Sequence, residues 1–246
     1  MALKFLLPNL FTTANLWCGF LALAFCLRHE PAHACWAIII GGFFDMADGQ
    51  IARLTHTSSL FGVQYDSFSD LVTFGIAPSV FIYQWAFSSG SWIGLAVPFI
   101  FLTCGALRLS RFNLKSTEKA AGSPSLYYQG IPITIAGGLI ATYGLSGMAM
   151  PILFSQFWIG LMLLLLSFTM ISEVPFWSTK QIMTNRSSQL VGLGFFSGVM
   201  LTLVLKPEWV FFWFASYWVA GIFRNVVHVG LQVWGQRKTK RVKKFL

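Results

Sequence analysis

The chain has 246 residues, of which 56% are hydrophobic and 10% charged, with 25 Phe, 10 Trp and a mean hydropathy of +0.67. A soluble domain carries roughly 25% charged residues, so a water-soluble enzyme and a sizeable extramembrane domain are excluded. Seventeen Lys and Arg against eight Asp and Glu give a formal charge of +9; six of the basic residues crowd the last ten positions after an apolar run, which fits an anionic membrane surface and not nucleic acid.

In chain order, apolar runs broken by charged or Pro/Gly-rich segments predict spans near residues 10–27, 32–48, 66–88, 91–110, 131–150, 152–172, 188–205 and 209–232. The expectation is an all-α, polytopic transmembrane helical bundle of about eight spans. With the first residues inside, the cytoplasmic segments hold Lys4, Arg53, Arg108, Arg111, Lys115, Lys119, Lys180, Arg186 and the tail residues Arg237, Lys238, Lys240, Arg241, Lys243 and Lys244. Arg28 and Lys206 fall outside, and Arg224 lies within the last span. That bias places both termini in the cytoplasm. The longest polar segment, 111–130, reads as a cytoplasmic loop. Gly194 and Gly198 form a small-xxx-small spacing in the seventh span that suits a neighbouring helix or a second subunit. Cys18, Cys26, Cys35 and Cys104 lie in or beside apolar runs with no CxxC pair, which argues against a disulfide framework or a zinc site.

The informative cluster sits at the cytoplasmic ends of spans two and three. All four Asp of the chain, Asp45, Asp48, Asp66 and Asp70, fall within 26 residues. On helices the i, i+3 and i, i+4 pairs each project from one face, and two such faces brought together form a four-carboxylate cup. Carboxylates this close cannot all ionise unaided. Two divalent cations would balance the charge, and hard oxygen ligands select Mg2+ or Mn2+. Two metals about 4 Å apart suit in-line displacement at phosphorus. Gly49 and Gly62 leave room for a bulky ligand, Ala52 keeps that face narrow, and Arg53, one turn after Gly49, is placed to pair with a phosphate. Helix capping by single Asp residues would need neither the glycines nor the arginine.

Together, Asp45, Asp48-Gly49, Ala52-Arg53, Gly62, Asp66 and Asp70 stand at D-x2-D-G-x2-A-R-x8-G-x3-D-x3-D. This string resembles the signature of the CDP-alcohol phosphotransferase family at every fixed position. The resemblance implies a helical membrane enzyme that moves a substituted phosphoryl group from a CDP-linked donor to an alcohol and releases CMP. It implies Asp45, Asp48 and Asp66 as ligands of one metal, Asp45, Asp66 and Asp70 as ligands of the second, and Asp70 as general base. Gly49, Ala52, Arg53 and Ser59 would lie along the CDP part of the donor, CDP-diacylglycerol. Asn9 and Thr12, in PNLFT, match a weaker element near the nucleotide; a Pro-Asn helix start explains them equally well. A homodimer is also implied.

Further stretches, PNLFTTANLWCGFLAL, YDSFSDLVTFGIAPS, ALRLSRFN, QGIPITIAGG and VPFWSTK, resemble the bacterial membrane-integral branch that uses L-serine as acceptor. The likeness runs from about residue 8 to 180 and suggests a six-span core over 1–180, two further spans over 181–236 and a basic cytoplasmic tail over 237–246. Serine brings a carboxylate that asks for a fixed cation, and Arg108 and Arg111, with Asn113, stand at the cytoplasmic end of span four. Both arginines also serve as positive-inside anchors; Lys180 reads as a loop lysine. On residue chemistry alone, glycerol 3-phosphate, inositol phosphate and choline remain open as acceptors. The reading from another class is an ion-coupled transporter, which would place its acids near the bilayer midplane and not at one face beside Arg53. The expected location is the bacterial cytoplasmic (inner) membrane, with the site on the cytoplasmic side.

Overall fold

The structure, a computed structural model, describes residues 2–55, 59–87, 92–118, 127–151, 155–172, 174–177 and 186–225. The basic tail at 237–246 and Lys180 lie outside the described residues. The architecture is helical: α1 Ala2–Leu27, α2 Pro31–Leu54, α3 Leu60–Asp70, a π-helical segment Leu71–Ile76, α4 Ala77–Ala86, α5 Trp92–Glu118, α6 Ile133–Ala149, α7 Gln156–Ile171, α8 Arg186–Leu205 and α9 over 210–225. Two three-residue strands, β1 Tyr127–Gln129 and β2 Pro175–Trp177, add an antiparallel ladder, pairing Tyr127 with Trp177 and Gln129 with Pro175.

Two helical stretches, Leu7–Leu27 and Trp92–Leu114, are long and apolar enough to cross a membrane. Their outward faces carry large apolar side chains, among them Leu10, Trp17, Phe20 and Leu27 on α1 and Trp92, Ile93, Phe99 and Leu107 on α5. Phe157, Trp158 and Phe168 do the same on α7. An apolar surface this extensive fits a lipid surround.

In lipid, helices associate through close packing and interhelical hydrogen bonds, because lipid tails are as apolar as the side chains they would replace. The packing around the π-helical turn follows that rule. A Cβ at Gly19 would meet Thr73 Oγ1 at 2.5 Å, one at Gly41 would meet Thr73 Cγ2 at 2.6 Å, and one at Gly137 would meet Phe74 Cα at 2.8 Å. Three glycines on α1, α2 and α6 therefore admit the wider turn that begins directly after Asp70. The core runs from there through Phe74, Phe81, Ile38, Leu139 and Ile140, all essentially buried.

The α1–α2 hairpin closes on His29, whose φ of 57° lies in the left-handed region. Glu30 N–H donates to Phe25 O and His29 N–H to Cys26 O, both at 2.9 Å, which satisfies the last carbonyls of α1 before Pro31 opens α2. Gln84 Nε2 lies 3.0 Å from His29 Nδ1 and ties the turn to α4.

Several boundaries differ from the sequence reading. Helix α1 begins at Ala2 and carries Pro8 inside it, so the polar PNLFT opening is helical and not a start signal. Helix α5 continues to Glu118, so 111–118 is helix and not loop. Its polar residues find partners on neighbouring helices: Arg111 Nη1 donates to Ile171 O at 2.8 Å, and Asn113 Nδ2 donates to Ser67 Oγ at 3.0 Å. The all-α expectation holds for the architecture, with one short ladder beside the helices, where Gly130, at φ +75°, turns its N–H to Val174 O at 3.0 Å. A Cβ at Gly198 would lie 2.9 Å from Trp213 of α9, so that half of the small-xxx-small pair packs internally; Gly194 has nothing within 4 Å.

Candidate active site

The four Asp arrive at one place from two helices. Asp45 and Asp48 lie one turn apart on α2, and Asp66 and Asp70 one turn apart on α3, running up to the π-helical segment. Carboxylate oxygens of Asp45, Asp48 and Asp66 all lie within 4.8 Å of one another, and Asp70 follows one turn beyond Asp66 on α3. Asp48 and Asp70 are buried. Two unit charges 4.8 Å apart repel by about 3.5 kcal/mol at an effective dielectric near 20, so the cluster needs compensation. Asp66 Oδ1 is buried with no hydrogen-bond partner among the described residues, an oxygen left over for a ligand.

Helix α1 forms the third wall. Thr12 Oγ1 donates to Asp48 Oδ2 at 2.9 Å and shares its proton with Pro8 O at 3.1 Å. Asn15 Nδ2 donates to Asp70 Oδ1 at 3.2 Å. The opposite helix answers: Ser69 Oγ donates to Thr12 O at 3.0 Å and Thr73 Oγ1 to Asn15 O at 2.9 Å. Thr13 Oγ1 lies 2.9 Å from the hydroxyl of Tyr65, further locking α1 to α3.

Beside the cup, Asn9, Ser59 and Gly62 converge. Ser59 caps α3, its Oγ accepting the Gly62 N–H at 3.0 Å. A Cβ at Gly62 would lie 3.2 Å from Ser59 Oγ and 3.8 Å from Asn9 Oδ1. On α2, Gly49 faces open space, with nothing within 4 Å of a Cβ placed there. Ala52 is half-buried, and Arg53 is exposed in the last turn of the helix.

The arginine pair separates. Arg108 is buried on α5, whereas Arg111 turns its guanidinium to the last carbonyls of α7, Ile171 O at 2.8 Å and Ser172 O at 3.5 Å. Asn113 bridges to α3 through Ser67 and Gln64, next to Asp66 and not within the carboxylate cluster.

Sequence reasoning named the carboxylates, glycines and Thr12 but passed over Asn15, Ser69 and Thr73. A signal was present for Asn15, since an amide inside an apolar run stands three residues beyond Thr12 and so on the same helix face. Ser69 and Thr73 carried none, being small hydroxyl residues whose partners are backbone carbonyls of another helix.

The family model for CDP-alcohol phosphatidyltransferase matches residues 5–171. A CDP-diacylglycerol--serine O-phosphatidyltransferase of Helicobacter pylori is 31% identical over 223 residues, covering 89% of this chain and 91% of that protein. The protein of the same name from Bacillus subtilis is 35% identical over 170 residues, 69% of this chain and 89% of the relative. An archaetidylserine synthase of Methanothermobacter thermautotrophicus is 30% identical over 172 residues, 69% of each chain. With a carboxylate cup on α2 and α3 and a matched region that spans both, the chain belongs to the CDP-alcohol phosphatidyltransferase family.

Proposed function

We propose that this protein transfers the phosphatidyl group of CDP-diacylglycerol to the hydroxyl of L-serine, giving phosphatidylserine and CMP. The observation that carries the reaction is the convergence of the Asp45, Asp48 and Asp66 oxygens within 4.8 Å, with Asp70 one turn beyond Asp66 on the same helix. The acceptor is supported by the relatives in Helicobacter pylori and Bacillus subtilis, whose names specify serine.

An all-carboxylate donor set with one buried, unpartnered oxygen on Asp66 fits hard divalent cations, Mg2+ or Mn2+. Asp45, Asp48 and Asp66 would hold one, and Asp45, Asp66 and Asp70 the other. When bound, they supply positive charge to the oxygens that gain negative charge at phosphorus.

Asp70 takes the proton of the serine hydroxyl as that oxygen bonds to the phosphorus bearing the diacylglycerol and the bond to the CMP oxygen breaks. Gly49 leaves space for the donor against α2, and Arg53 pairs with its phosphates. Asn9, Thr12, Ala52 and Ser59 flank the nucleotide. Arg108, buried on α5, is assigned to the serine carboxylate, Arg111 holds the last carbonyls of α7, and Asn113 fixes the neighbouring turn of α3.

The same reading sets the protein in a bacterial inner membrane with about eight spans and both termini inside. The cup then opens to the cytoplasm from a core over 1–180, followed by two spans over 181–236 and a basic tail over 237–246 that rests on anionic lipid. Purified protein given CDP-diacylglycerol, serine and Mn2+ should form CMP and phosphatidylserine in equal amounts, and Asp66→Asn should form neither. CMP release that ignores serine would contradict the proposal.

A further inference from the structure

Asn15 stands midway along α1, on the face that carries Thr12, and its side chain is fully buried. A buried amide inside a membrane helix is costly unless both of its ends are hydrogen-bonded. One end is: Nδ2 donates to Asp70 Oδ1 at 3.2 Å, while Oδ1 has no partner among the described residues. That oxygen faces α2, 3.0 Å from where a Cβ of Gly41 would lie. In the ionised form that a base and metal ligand must take, Asp70 only accepts hydrogen bonds, so turning the amide over would bring its oxygen against an acceptor. Asp70 therefore dictates the orientation, and the amide oxygen goes unsatisfied to keep the pairing.

The backbone behind Asn15 is anchored to the segment that continues from Asp70. Thr73 Oγ1 donates to Asn15 O at 2.9 Å, and Gly19 and Gly41 admit Thr73 between α1 and α2. Asn15 and Asp70 thus form one unit, held by a side-chain bond on one side and a side-chain-to-backbone bond on the other.

We infer that Asn15 is a positioning residue for phosphatidyl transfer: by holding Oδ1 of Asp70 it fixes the plane of that carboxyl, and with it the oxygen presented to the acceptor hydroxyl. The inference rests on Asp70 being the base proposed above. Because Asn15 acts through Asp70, its removal should act on turnover and not on donor binding.

The test compares Asn15→Leu, which keeps the branched outline without the amide, Asn15→Ala, which truncates it, Asp70→Asn, and the two double variants. Turnover, the CDP-diacylglycerol KM, the thermal midpoint in detergent and the Mn2+ bound per chain are measured on each. With Mn2+ raised until the metal bound per chain matches wild type, both Asn15 variants should still lose about 10- to 100-fold in kcat, with donor KM within about twofold. Neither should deepen the loss already caused by Asp70→Asn, because both act through the same carboxylate. A kcat within about twofold of wild type, losses that multiply in the double variants, or a raised donor KM with a lowered thermal midpoint would each overturn the inference. An Asp70→Asn enzyme that turns over normally would remove the base assignment itself and the inference with it. Impaired Asp70→Asn beside normal Asn15 variants would remove the Asn15 role alone.

Discussion

Thr12 Oγ1 stands 2.9 Å from Asp48 Oδ2, joining residues 36 positions apart and fixing the one carboxylate of the cup that α1 reaches by a hydroxyl. A hydrogen bond to a metal-binding carboxylate sets its rotamer before the cation arrives, and losing such a partner typically costs 10- to 100-fold in metal affinity. Thr12→Val, which keeps the shape and deletes the donor, should weaken Mn2+ binding by about tenfold. Titration followed by paramagnetic resonance reads this directly; unchanged affinity would reduce Thr12 to a packing residue.

Metal dependence follows from the crowding of carboxylates. Activity should vanish with a chelator and return with Mg2+ or Mn2+, because the Asp45, Asp48 and Asp66 oxygens lie within 4.8 Å of one another and Asp66 Oδ1 has no hydrogen-bond partner among the described residues. Asp45→Asn and Asp66→Asn should be the most damaging ligand changes, since each is assigned to both cations. Full turnover in metal-free buffer would contradict the assignment.

Two glycines should respond oppositely to the same substitution. Gly49→Ala enters open space, so stability should hold or rise, by up to about 1 kcal/mol of helix preference. The donor KM should nevertheless climb about tenfold, since the methyl occupies the face given to CDP-diacylglycerol. Gly137→Ala would set a methyl 2.8 Å from the Phe74 backbone and should cost about 1–3 kcal/mol of stability, with donor KM unchanged in the folded fraction.

The arginines of α5 should also part company. Arg108→Lys should raise the serine KM about tenfold and leave the CDP-diacylglycerol KM nearly unaltered, as expected when a bidentate grip on a carboxylate is lost. Arg111→Lys breaks the fork on Ile171 O and Ser172 O and should lower stability by about 1–3 kcal/mol without separating the two KM values. Substrate kinetics and a detergent melt on both variants decide between these roles.

The carboxylate cup was legible in the sequence because helical spacing alone puts Asp45 with Asp48 and Asp66 with Asp70, and the glycine and arginine offsets carry over unchanged onto α2 and α3. What stayed hidden depends on partners distant in sequence. Arg111 and Asn113 read as loop residues because they are polar, yet α5 carries them as helix, since the α7 carbonyls and Ser67 meet their hydrogen-bonding needs. The π-helical turn at Leu71–Ile76 has no compositional mark of its own; it is admitted by Gly19, Gly41 and Gly137 on three other helices. The β1–β2 ladder is too short for any alternating pattern to show.

Acceptor choice tests the central claim most directly. Purified protein with Mn2+ and CDP-diacylglycerol is offered serine, glycerol 3-phosphate, inositol phosphate or choline in separate reactions, and both CMP and the lipid product are measured. The account predicts phosphatidylserine with one CMP per lipid formed and little product from the other three. Faster transfer to glycerol 3-phosphate, or no CMP with any acceptor, would contradict it.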